Sequence, residues 1–260
     1  GEAQIYGWMG LFIMGFAYHV LPRFWRGALA APRLTLAVLM LVAGGILVRT
    51  VGMASLGDWP LAIPLALTGC LMEVTAILIF ATQMVLTCKR GKVPFRPESG
   101  FLMGAMGWFV LMSLLDTAHT YFTMSAATPQ AMLWYVATYQ APLRDFQIHG
   151  LALFMILGVS SRMIPAFYGR PPTPPRRGWC AFGLLTAAVL GEVALFLLYR
   201  FTNDEMFAAL LLVAWIMLAA GVVLQVWPWK LWRKPRRYDR SDKFIRTAYA
   251  GLGLSLLMLL

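Results

Sequence analysis

The residues best placed to do chemistry are ionisable side chains set within or at the ends of long apolar runs: His19, Arg49, Glu73, Asp116, His119, His149, Arg162 and Glu192. An ionisable group at membrane depth costs about 2.5–3.5 kcal/mol on insertion scales. Such groups usually face the interior of a bundle and often mark function. Histidine is rare here, with 3 in the chain. Imidazole is the usual side chain for haem iron and for copper or zinc. No compact metal motif such as HExxH is present, so a metal would have to be held by residues from different helices.

Helix rise sets the depth of each candidate. A fourth helix starting near Gly100 carries His119 about 28 Å along its axis, close to its far end. A fifth helix starting near Asp145 carries His149 about 6 Å in from the same side. The two histidines are thus expected at matched depth on sequential antiparallel helices, where they would either share a metal or ligate a haem from opposite sides. The alternative is a pair of interfacial histidines bonded to backbone or water. Asp116 precedes His119 by three residues and shares its helix face. It would either bind the metal or orient an imidazole. His19 lies near the opposite end of the first helix, as a further candidate ligand.

Arg49 and Glu73 belong to the second and third helices. Arg49 either pairs with another helix or snorkels to the interface. A carboxylate in the middle of a span, as at Glu73, is a candidate proton carrier. Arg162 is expected to reach the inner interface, with a haem propionate or lipid headgroup as the other partner. Gly100, Gly104 and Gly107 should let another helix approach closely. The 16 methionines are scattered, which suits core and lipid-facing filler. Cys70, Cys88 and Cys180 form no CxxC pair, so neither a zinc site nor a disulfide framework is indicated.

These residues need helices that cross a membrane. The chain has 260 residues, 60% hydrophobic and 13% charged, with a mean hydropathy of +0.70. A soluble domain carries about 25% charged residues. About 20 apolar residues span a bilayer core. Candidate spans are 4–21, 34–54, 61–87, 100–125, 145–165, 178–199, 206–228 and 244–260. The expected fold is an all-α polytopic transmembrane bundle of about eight helices, a single domain over 1–260.

The net charge of +11 sits in short loops and leaves no basic surface for nucleic acid. Arg23, Arg26 and Arg33 lie in the first loop; Lys89, Arg90, Lys92 and Arg96 in the third; Arg170, Arg176 and Arg177 in the fifth. The seventh, Lys230 to Lys243, is strongly basic, and the even-numbered loops are not. That alternation predicts a first residue outside. The fourth loop, from Ala126 to Arg144 with Trp134, Tyr135 and Tyr139, is expected to anchor at the interface, with a short surface helix as the alternative. The proline-rich segment Arg170 to Pro175 reads as a stiff extended connector. The opening Gly1 and an apolar run still open at Leu260 give the expectation of a fragment of a longer chain.

Two stretches carry a resemblance. The first runs Gly7-Trp8-Met9-Gly10 through Gly15-Phe16-Ala17-Tyr18-His19 to Pro22-Arg23-Phe24. The second runs Phe146-Gln147-Ile148-His149-Gly150 through Gly158, Arg162 and Met163 to Gly169-Arg170-Pro171. Together they resemble the NnrS family of polytopic membrane proteins. The first also looks like a helix of the haem-copper oxidase and nitric oxide reductase catalytic subunits. The resemblance implies a protein of the bacterial inner membrane holding haem, of the b type, and copper, and linked to nitric oxide, denitrification or respiratory electron transfer. It also implies other subunits of a respiratory or nitric-oxide-related complex as partners, alongside membrane lipid. His149 and Arg162 match the second motif; His119 and Asp116 rest on depth alone. Arg49 and Arg162 are the expected propionate partners. The family's opening often carries His-x-His where this chain has Gly1-Glu2-Ala3-Gln4. The competing functions are a non-catalytic anchor or scaffold subunit and a transporter, the latter hinted at only by Pro60, Pro64 and Gly44-Gly45.

Overall fold

A computed structural model describes residues 3–57, 59–233 and 241–258, and they are helical with no strand among them. The helices are α1 (Leu11–Trp25), which continues a π-helical opening Ala3–Gly10, then α2 (Leu34–Ala54), α3 (Ala62–Arg90) and α4 (Pro97–Met124). Next come α5 (Pro129–Phe167), α6 (Pro175–Thr202), α7 (Glu205–Val226) and α8 (Ser241–Leu257). Those from α2 to α7 are long and apolar enough to cross a membrane. Helices satisfy every backbone hydrogen bond internally, which hydrocarbon demands. The chain is therefore a multi-pass helical membrane protein.

The helix ends follow local signals. Asn203 adopts the left-handed conformation (φ 54°) and closes α6, and the Asp204 carboxylate then accepts from the Met206 N–H to open α7. Such caps satisfy end groups that the helix cannot. The clearest departure from expectation is α5, which begins at Pro129 rather than near Asp145. The reason is in the sequence: the Thr128 hydroxyl accepts from the Ala131 N–H, and Pro129 occupies the first turn, where its missing N–H has no cost. The aromatic residues of this stretch stack on α4. Phe122 lies 5.4 Å from Tyr135 and 6.1 Å from Tyr139, centroid to centroid. A π-helical turn, Phe146–Ala152, interrupts α5 and contains His149.

The described residues group into two compact units: residues 1–94 with 106–147, and residues 95–105 with 148–260. In the first, α2 and α3 pack through small residues. A Cβ on Gly69 would stand 2.5 Å from the Arg49 backbone N, and one on Gly52 would stand 2.4 Å from the Ala66 N. Backbone therefore lies against backbone, as small residues permit in membrane helices. The α1–α2 connection is tied down by α3. Gln83 donates to the Ala30 and Ala31 carbonyls at 3.2 and 2.9 Å, and the Thr87 hydroxyl accepts from the Ala30 N–H at 3.0 Å.

The second unit is held by aromatic packing. Phe101, Phe154 and Phe182 form a triangle with centroids 5.4–5.7 Å apart. Gly100 lies under the Trp179 ring, and Gly104 faces Phe154 and Phe182. These two glycines do admit close neighbours, though the neighbours are aromatic rings rather than helix backbone. Gly107 faces open space. After α5 the chain turns at Gly169 (φ 61°), and Arg170 then donates to the Trp229 and Lys230 carbonyls. These are end carbonyls past α7, so a guanidinium there complements both hydrogen bonding and helix dipole. Tyr168 donates to Asp242 Oδ1, which also accepts from Arg246 Nε at 3.0 Å. Burial pulls the Asp242 carboxyl upward, but donation from Tyr168 and Arg246 outweighs it and holds the group below its ordinary value.

Two predictions follow from this packing. Gly69→Ala or Gly52→Ala forces α2 from α3 and lowers stability by about 1–3 kcal/mol, read as thermal unfolding in detergent, whereas Gly107→Ala is neutral. A carboxyl depressed in the folded state stabilises above its unfolded pKa and loses that contribution as pH falls through the folded value. The stability difference between wild type and Asp242→Asn should therefore be constant near neutrality and shrink below about pH 4.

Candidate functional site

The first unit carries a buried ionic cluster. Arg49, Glu73, Asp116 and Thr120 are 2%, 2%, 3% and 2% exposed. Arg49 Nη1 donates to Asp116 Oδ2 at 2.6 Å and to Glu73 Oε2 at 3.1 Å, while Nη2 donates to Thr120 Oγ1 at 2.6 Å. The Thr120 proton goes to the Asp116 carbonyl at 2.9 Å, so the hydroxyl lone pairs are left to face the guanidinium. Thr120 is one helical turn beyond Asp116, which puts both on one face of α4. The missing side chains of Gly45 and Gly69 make the cluster possible. A Cβ on Gly45 would stand 2.9 Å from Glu73 Cγ, and one on Gly69 would stand 2.7 Å from Arg49 Cβ. The buried Tyr6 hydroxyl and the Cys70 thiol lie in the field of the same three charges. Tyr6 was not singled out from the sequence, and Cys70 was noted there only as lying outside any CxxC pair.

Arg49 thus pairs with other helices rather than snorkelling, and Asp116 Oδ2 is bound to Arg49. The cluster couples α2, α3 and α4 through opposite charges in a medium where an unpaired charge costs several kcal/mol.

His119 lies one turn before the aromatic layer of α4 and α5, its ring centroid 6.4 Å from that of Tyr139. Both ring nitrogens are buried and have no hydrogen-bond partner. The usual cost of a buried unsatisfied polar group is about 1–3 kcal/mol. An imidazole so placed has its lone pair available to a ligand that only binding would supply. His149 belongs to the second unit. Its Nδ1 is 2.8 Å from Glu192 Oε2, and the Glu192 side chain is 1% exposed. Glu192 Oε1 is buried with no hydrogen-bond partner. A carboxylate at Nδ1 fixes the tautomer and strengthens Nε2 as a donor atom, the arrangement typical of ligating histidines. Glu192 was visible in the sequence as an intramembrane acid, but its distance of 43 residues from His149 gave no sign of the pairing.

His19 is exposed on the surface of α1, and Arg162 is half-buried in α5. The histidines at 119 and 149 fall in different units, each with its own surroundings.

Fold and site together define a multi-pass helical membrane protein with charged and imidazole groups inside its spans. No family model, curated protein or solved structure matches the chain.

Removing Arg49 alone leaves two buried carboxylates without a counter-ion. Arg49→Ala should cost about 3–5 kcal/mol. The triple variant Arg49→Met, Glu73→Gln, Asp116→Asn should recover most of that loss. Denaturant unfolding in detergent micelles measures both.

Proposed function

We propose that this chain is a haem-holding protein of the bacterial inner membrane, akin to the NnrS family, acting in nitric oxide handling or respiratory electron transfer. The observation that carries the reading is the half-buried His119, whose two ring nitrogens are both buried with no partner. The donor set favours haem over a bare copper ion at this residue. A haem supplies its own four nitrogen ligands and asks the protein for an axial imidazole. A bare ion asks for several side chains, and among the described residues no trio of His, Cys, Asp and Glu gathers around His119. His149, oriented by Glu192, is the second candidate ligand. The resemblance in the Gly7–Phe24 and Phe146–Pro171 stretches, and the alternation of loop charge from which the first residue is expected outside, support the same reading.

Within it, His119 presents a lone pair, and the Phe122, Tyr135 and Tyr139 rings keep water from that end of α4. When bound, the haem would supply the gas-binding or one-electron chemistry.

The test is a visible spectrum of the full chain, expressed with a haem precursor and purified in mild detergent. Wild type and His19→Ala should show a Soret band and a pyridine haemochrome of the b type. His119→Ala should lose most of the absorbance while keeping its helical circular dichroism. Colourless wild-type protein with neither iron nor copper would sink the reading.

A further inference from the structure

Between α1 and α2 lies a cavity of about 450 Å³ lined by Leu11, Met14, Gly15, Tyr18, Pro32, Thr35, Leu36, Val38 and Leu39. Its volume is in the range of small-molecule sites. It opens on the surface of the spans, since Gly15 is exposed and Leu36 and Leu39 are 61% and 47% exposed. Gly15 creates part of the space, because a Cβ there would meet nothing within 4 Å.

The slot has a direction. Along α1 it runs from Leu11 to Tyr18, and along α2 from Leu39 back to Pro32, a length of about 10 Å by helix rise. Its apolar end holds Leu11, Val38 and Leu39. Its polar end holds Tyr18, Thr35 and Pro32. The Tyr18 hydroxyl donates to Gln83 Oε1 at 2.7 Å and lies beside the Thr35 hydroxyl. The connection beyond the polar end carries Arg23, Arg26 and Arg33, all exposed, and Arg33 directly precedes the first turn of α2.

We propose that this slot is a binding site for one anionic phospholipid, with an acyl chain between α1 and α2 and the phosphate facing the arginines. The chemistry matches in order: apolar length, then the Tyr18 and Thr35 hydroxyls, then positive charge. A neutral lipid would offer the arginines no counter-charge. The inference is independent of any haem.

Native mass spectrometry of the full chain from vesicles of equal phosphatidylglycerol and phosphatidylcholine tests it. Wild type should retain phosphatidylglycerol in preference. Arg33→Gln should weaken that retention about fivefold, the worth of one basic residue at an anionic surface. Gly15→Phe, which fills the slot from an open position, should abolish it. The unfolding temperature of both variants should match wild type, and Arg176→Gln in the other unit should bind as wild type does. Equal retention of the two lipids, retention by Gly15→Phe, a matching loss in Arg176→Gln, or displacement by an added isoprenoid quinone would each overturn the proposal.

Discussion

The constraint on which the first unit depends is the cost of a guanidinium in hydrocarbon. Arg49 is 2% exposed, so it cannot lean on water. Its charge has to be met by atoms fixed nearby, and Glu73, Asp116 and Thr120 supply them from two other helices. Buried ion pairs seldom add much net stability, because desolvation offsets the Coulomb term. What they do add is intolerance of error. A sliding or rotation of α2 against α3 or α4 would strand a charge, so the cluster fixes the register of three helices whose outer faces are largely apolar. Lipid tails are as apolar as leucine and give those faces no preferred mate. The polar interior has to decide how the helices pair.

That dependence explains the glycines. A guanidinium reaches two carboxylates only if the helix axes are close. Gly45 and Gly69 remove the side chains that would hold α2 and α3 apart, and their contacts include the cluster's own atoms. Charge and small-residue packing are therefore one device. Gly44-Gly45, which from sequence alone hinted at a broken transport helix, lies within an uninterrupted α2.

Much of the fold was legible in the sequence, because apolar run length is a direct reading of bilayer thickness. The runs near 34–54, 61–87 and 206–228 correspond to α2, α3 and α7 within a few residues. The stretch from Ala126 to Arg144 was not legible as part of a long helix. Its aromatic and polar composition suits an interface, and a long apolar run, the signal used elsewhere, is missing there. The informative residues were Thr128 and Pro129, a cap and a first-turn proline, which speak of backbone rather than of burial. For the site, each member of the ionic cluster except Thr120 was recognisable as an ionisable group at depth. Their grouping was not, because one sequence gives depth along each helix but not rotation about it. The pairing of His149 with Glu192 failed to appear for the same reason.

The two histidines inside the spans are provided for differently, and the difference bears on chemistry. Glu192 holds His149 by one nitrogen, so its tautomer is set by the protein. His119 has neighbours of the wrong kind: an aromatic ring at 6.4 Å and no acceptor or donor within bonding distance of either nitrogen. Folding alone gives no reason to place an imidazole there, since leucine or methionine would fill the volume without an unsatisfied dipole. Arg49 shows that this chain can surround a buried charge with partners drawn from several helices. An imidazole left without one, a single turn from Asp116 along α4, is the feature on which the proposed haem ligation rests.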